Sequence, residues 1–385
     1  MLLYANNSRR RQGFKMRLGE ASSESTGRYC ATSWLFGISI LLVLLTGLSH
    51  GAARAEAREQ AREQAVLSGR TIVQPGPLTQ GPGSTEYRHK GWRVSEGGEG
   101  YNAWYAFEPV RPKPATAPVA IVSHGYGEFT GYDRLYELIR HTVLKGTVVV
   151  FPRWQTSDYV PCPGPFHIES CMDAAVRGIH GGLDYLRADP DRVQPDINRT
   201  SYYGYSFGGI ITANIANQYL RYGLPRPRAI FLDDPHDGEV AGLGEPALDD
   251  SLAGIPRDVK LECHSGADGV LGVPRLIDGS CNALFAKLSH IPKVNKSLTM
   301  TRTDSWGVPT LSSAHGVCAS NPGTQNAYDW RFCWRDWDAI RACALRGKFC
   351  YLSVGAGPRH RWLGRWSDGT PMTSLVVQKS GPLTP

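Results

Sequence analysis

The sequence has no C-x-x-C pair and no H-E-x-x-H run, so two common zinc-holding spacings are missing and no metal or other cofactor is expected. It has no internal repeat, which sets solenoids aside. It also has little charge of either sign to spare. Of its 42 basic and 35 acidic residues, 7 and 2 lie in residues 1–55, which leaves 35 and 33 for the rest. With so small an excess and no basic cluster, nucleic acid is not an expected partner. What remains is ordinary globular material: 385 residues, 41% hydrophobic, enough for a sizeable core.

The front of the chain reads as an address. The basic stretch SRRRQGFKMR precedes the apolar run WLFGISILLVLLTGL at 34–48 and then Ala53-Arg54-Ala55. Basic lead, short apolar core and small-residue site make residues 1–55 a signal peptide cut after Ala55. An uncleaved anchor is the alternative, although the run is short of the roughly 20 residues a spanning helix needs. The expected location is secreted or periplasmic, with no stable membrane contact once the signal is removed. Cysteine usage agrees. Without Cys30 there remain Cys162, Cys171, Cys263, Cys281, Cys318, Cys333, Cys343 and Cys350, an even set that suits disulfides in an oxidising compartment. Spacing leaves the connectivity open, though Cys162–Cys171 and Cys343–Cys350 are close enough to be local pairs.

Residues 56–85 pass from a charged stretch to a Gly/Pro-rich one and are expected to be a flexible leader. A single domain is expected over 86–385. It opens with a hairpin in GWRVSEGGEGYNAWYAFEP. Short continuous apolar runs then alternate with helical spacings. The strands are expected at APVAIVSHG, TVVVFPRW, RTSYYGYS, RAIFLDD, VKLECHSG and KSLTMTRT. Helices are expected over 132–146, 170–188, after Ser206, 281–291 and 334–347. That alternation predicts an α/β fold: a mainly parallel sheet covered by helices on both faces. In such sheets, sites form in the loops leaving the carboxyl ends of the strands.

Those loops carry a pattern. GYSFGG places Ser206 between glycines where a strand meets a helix, the G-x-S-x-G arrangement. GLSHG at 47–51 fits the same spacing inside the export segment, so context must decide. HSGADG carries Asp268 and SSAHG carries His315, giving serine, carboxylate and histidine in that order. A serine hydroxyl needs an adjacent base, here His315, and the imidazolium then formed needs a carboxylate, here Asp268. Asp233 or Asp234 in FLDDPHDG is the alternative acid. The backbone N–H groups of Tyr126, after SHG, and Phe207, at the helix start, are the expected oxyanion donors. His264 is expected to pack in the core, and Trp154, Asp304 and Trp306 to be loop packing or pocket lining.

With SHGYG, GYSFGG, GADG and SSAHG in order over residues 87–377, the chain resembles the α/β-hydrolase superfamily. The resemblance is to exported serine esterases of the cutinase, dienelactone-hydrolase-like and platelet-activating-factor acetylhydrolase-like groups. It implies a secreted carboxyl-ester hydrolase working through an acyl-enzyme on a small or polymeric ester. It makes His124 a structural residue beside the oxyanion loop. In the acetylhydrolase-like enzymes the acid follows the strand after the nucleophile helix, which is the position of Asp233 and Asp234. Dienelactone hydrolases proper use cysteine where Ser206 stands. A serine peptidase or amidase on the same fold, and a non-catalytic binding domain, are the competing readings.

Overall fold

The computed structural model describes residues 60, 71–157, 162, 168–236, 248–269 and 281–383. From residue 71 onward these belong to one compact unit, Arg62–Pro385. The expected signal peptide, residues 1–55, lies outside the described residues. No helix among the described residues is long and apolar enough to cross a membrane.

Nine strands form one sheet: β1 Gly91–Gly97, β2 Trp104–Val110, β3 Thr116–Ser123, β4 Val148–Pro152, β5 Gln194–Tyr205, β6 Pro227–Asp233, β7 Lys260–Gly266, β8 Lys296–Thr301 and β9 Val376–Gln378. Their spatial order is β1-β2-β4-β3-β5-β6-β7-β8-β9. β4, β3, β5, β6, β7 and β8 run parallel, while β1, β2 and β9 pair antiparallel at the two margins. This is the expected α/β fold, a mainly parallel sheet with helices on both faces.

The continuous apolar runs follow from burial on both faces. Val119, Ile121, Val148, Val150, Ile230 and Leu232 point into one core, under helices α2 (Ile168–Ala188) and α3 (Phe207–Asn217). Their neighbours Ala120, Val122, Val149, Phe151, Ala229 and Phe231 point into the other, under α1 (Tyr136–Leu144) and α5 (Trp334–Arg346). Strand side chains alternate between faces, so a run apolar at every position is what two covered faces require.

Four differences from the sequence reading have physical causes. The segment 71–85 is packed rather than a flexible leader: Ile72 is buried, Gln74 accepts the Ala327 N–H at 2.6 Å, and Trp330 donates its indole N–H to Pro75 O at 2.9 Å. These contacts reach more than 200 residues along the chain, which composition does not register. Helix α4 is only Ala283–Ala286, with turns continuing to residue 290. β9 was not foreseen, being three residues long. α5 is entered through a π-helical stretch, Asp329–Cys333, and ends one residue early, at Gly347, whose left-handed φ of 64° stops the helix.

Four disulfides close the described cysteines: Cys162–Cys171, Cys263–Cys281, Cys318–Cys333 and Cys343–Cys350, with Cα separations of 5.0, 5.7, 5.5 and 4.7 Å. Both local pairs expected from spacing are among them.

Candidate active site

β5 ends at Tyr205, α3 begins at Phe207, and Ser206 alone makes the turn, at φ 55° and ψ −127°. A non-glycine residue held at positive φ is strained, and such strain concentrates at functional sites. The flanking glycines allow the turn. A Cβ on Gly208 would stand 2.1 Å from His124 O, and one on Gly204 would stand 2.5 Å from Gly208 O. Backbone bonds fix the corner: the Ser206 N–H donates to Asp233 O (2.9 Å), and Ser206 O accepts from the N–H groups of Gly209 (2.8 Å) and His236 (3.1 Å).

His315 bridges serine and carboxylate. Its Nε2 is 2.9 Å from Ser206 Oγ and its Nδ1 is 2.7 Å from Asp234 Oδ2. Burial pushes the His315 pKa down, but the Asp234 hydrogen bond and charge, helped by Asp233 and Glu128, outweigh that and leave it raised. The Tyr205 ring stacks on the imidazole at 5.2 Å, and the His236 ring meets it edge-on at 5.8 Å.

The carboxylate beside His315 is therefore Asp234, and the expected Asp268 is elsewhere. Asp268 accepts from the Thr303 hydroxyl and from the Ser313 N–H (3.3 Å). Its loop still serves the site through backbone bonds. Asp268 N–H donates to Ser313 O (3.1 Å) and His315 N–H to Gly269 O (2.9 Å), which bind the two loops together. Asp234 turns back towards His315 because it sits at positive φ (47°), a conformation Asp tolerates better than most residues.

Asp233, still in the strand, faces the opposite way. It ends a buried chain of donors. Ala267 N–H donates to Ser313 Oγ (3.0 Å), and Ser313 and Thr301 hydroxyls pair at 2.7 Å. Thr301 Oγ1 meets His264 Nε2 at 3.0 Å, and His264 Nδ1 meets Asp233 Oδ1 at 2.9 Å. Tyr203 donates to the other Asp233 oxygen at 3.0 Å. Every hydroxyl in the chain can donate onward to the next acceptor, and Asp233 collects the last proton. The network ties the loops of Asp234 and His315 to four adjacent strands, β5, β6, β7 and β8. His264 is a core residue, as expected, but a polar one.

The loop after β3 meets the elbow from the other side. A Cβ on Gly125 would lie 3.1 Å from Ser206 Cβ. On either side of Tyr126 the loop is pinned by side chains: Gly125 N–H donates to Glu128 Oε2 (3.1 Å) and Gly127 N–H to Gln155 Oε1 (2.9 Å). Burial raises the Glu128 pKa, and Arg134 stands 3.5 Å from its carboxylate. Burial drives His124 down to about 4, so it is neutral. Its ring stacks on Trp154 at 4.6 Å, and Trp154 stacks on Phe207 at 5.1 Å. Trp154 is thus fully buried support beneath the elbow. Asp304 accepts from the Trp366 indole (3.1 Å) and the Thr373 N–H (2.7 Å), and Trp306 is buried beside it, so both are loop packing. Glu128, Gln155, Tyr205 and His236 escaped the sequence reading. Glu128, three residues after the SHG turn, Tyr205, beside Ser206, and His236, in FLDDPHDG, had positional cues; Gln155 lay just beyond the TVVVFPRW run.

Among the described residues, two groups of side chains have donor atoms close enough together for a cation. In Asp233, His264 and Cys318, the cysteine is locked in a disulfide. In Glu262, Asp336 and His360, His360 Nε2 is 2.8 Å from Asp336 Oδ2, and the Arg335 guanidinium lies against the same carboxylate. Arg335 already supplies the cation there.

No family model matches the chain, and no curated protein matches it. Among solved structures it is similar to a mutant of the esterase rPPE, at 17% identity and a TM-score of 0.45, over 67% of this chain and 84% of that one.

Proposed function

We propose that the protein is an exported serine carboxyl-ester hydrolase. The observation that carries this reading is the unbroken line from Ser206 through His315 to Asp234, at 2.9 and 2.7 Å, on an elbow strained at φ 55°. Ser206 Oγ attacks the ester carbonyl carbon while its proton passes to His315 Nε2. Asp234 accepts from Nδ1–H, fixes the tautomer and stabilises the imidazolium. The carbonyl oxygen, now negative, is received by the N–H groups of Tyr126 and Phe207. The second belongs to the first turn of α3, where the helix dipole favours negative charge. Collapse expels the alcohol with the proton from His315, and a water then releases the acid by the same route. Glu128 and Gln155 act as positioning residues for the oxyanion loop. Export is supported by the leader sequence and by four disulfides.

The test is hydrolysis of p-nitrophenyl acetate, butyrate and octanoate by the protein and by Ser206→Ala. Turnover that falls to background in the variant upholds the reading, and the chain-length profile defines the acyl pocket. Equal rates in the two proteins refute it.

A further inference from the structure

At the edge of the sheet opposite Ser206, where β3, β4 and β5 begin and α5 ends, lies a cavity of about 540 Å³. Five cations line it, Arg88, Lys145, Arg199, Arg341 and Arg346, and two carboxylates, Glu86 and Asp338. Two of the cations are engaged in the walls. Lys145 Nζ donates to Ser84 Oγ (2.9 Å) and Glu86 O (3.1 Å). Arg341 lies 3.7 Å from Asp338 and donates to the Thr147 hydroxyl. Asp338 is engaged as well, by the Gly83 N–H at 3.0 Å and by His141 at 2.9 Å.

The other three are not neutralised. Arg88 and Arg346 have no hydrogen-bond or ion-pair partner among the described residues, and Arg199 reaches only Asp196, at 3.9 Å. They come from three segments: the packed stretch before β1, the middle of β5, and the last turn of α5. They stand near enough to act on one another. Arg346 is pushed below its ordinary range by burial and then by Arg88 and Arg199, and Arg341 is pushed down to about 10 by burial and by Arg346 and Arg199, both against the pull of Asp338. The Arg341 Nε is buried with no acceptor. Arg88 and Arg346 are exposed and Arg199 is half-buried, so an anion from solvent can reach all three, and like charges gathered there favour its arrival.

We propose that this cavity binds a phosphate or sulfate group between the guanidinium groups of Arg88, Arg199 and Arg346. Planar guanidinium forks match such oxyanions in paired hydrogen bonds, which a lysine cannot do. The site shares no residue with the serine site, so it stands whether or not the protein hydrolyses esters.

The experiment is calorimetric titration of the protein with sodium pyrophosphate and, separately, with sodium sulfate, against sodium chloride at matched ionic strength. Co-sedimentation with phosphatidylcholine vesicles, with and without phosphatidylglycerol, is the second arm. The double variant Arg88→Ala/Arg346→Ala is run alongside, with its melting temperature as the folding control. Saturable binding of either oxyanion, absent with chloride and weakened about tenfold or more in the folded variant, supports the proposal. Binding seen only with the anionic vesicles, and lost in the variant, also supports it and assigns the phosphate to a lipid headgroup. No saturable binding in either arm, or binding that the variant leaves unchanged, overturns it.

Discussion

Asp234→Asn and Asp268→Asn separate the two carboxylates that the sequence left in competition. In the wild type, Asp234 takes the His315 Nδ1–H at 2.7 Å, which leaves Nε2 bare to accept the Ser206 proton at 2.9 Å. An amide at 234 is nearly the same size but can present its NH₂ to Nδ1, which favours the tautomer with the proton on Nε2. That imidazole cannot act as the base. The expected loss is about 10⁴-fold in kcat at neutral pH, equivalent to roughly 5 kcal/mol of barrier. Among the described residues the Asp268 carboxylate accepts only from Thr303 and Ser313, so its amide variant should stay within about tenfold of wild type. The assay is kcat/KM for p-nitrophenyl acetate across pH, with melting curves for both variants. His315 must be neutral to act, and Asp234 raises its pKa, so wild-type activity should fall as pH drops through a value above 6.5. In Asp234→Asn the residual activity should fall at lower pH. A collapse in folded Asp268→Asn with Asp234→Asn near wild type would refute the assignment of the acid.

Gly208→Ala should remove activity and cost several kcal/mol of stability, because its Cβ would overlap His124 O at 2.1 Å; an active, normally melting variant would contradict the tight elbow. Stability should also fall on the alkaline side. Burial opposes the charge on His360, but Asp336 and Glu262 overcome this and raise its pKa from 6.5 to about 9. Its stabilising contribution, about 3 kcal/mol, is therefore complete below pH 6.5 and disappears as pH climbs past 9. Burial and Asp336 also raise Glu262, which works in the same direction. Urea unfolding at pH 6.5 and 9.5 would measure it, and equal stabilities would exclude a charged His360.

The sheet was legible because VAIV, VVVF and IFL are apolar at every position, a pattern that only a strand buried on both faces needs in so short a run. Ser206 and His315 were legible because each sits on a loop at the carboxyl edge. The acid was harder. GADG and FLDDP both end strands at that edge, and the choice rests on two things no pattern carries: the positive φ of Asp234 and the turning of Asp268 towards Thr303. The adjacent aspartates differ for a simpler reason. Asp233 is the last strand residue, facing Tyr203 and His264, and the next residue leaves the strand. The segment 71–85 was misread because Gly/Pro-rich composition describes local freedom, whereas its order comes from distant partners: Lys145, Val308, Ala327, Trp330, Asp338 and Ser367. The buried groups around Glu262 and His264 were equally hidden, since polar residues in a strand ordinarily signal a solvated face.

In the proposed reaction Ser206 is an activated nucleophile. A fluorophosphonate probe tests it directly, with intact mass and peptide mapping before and after reaction. The expected result is one adduct per chain, carried by the peptide containing Ser206 and absent from Ser206→Ala. No adduct on the folded protein, or the same adduct on the alanine variant, would contradict it.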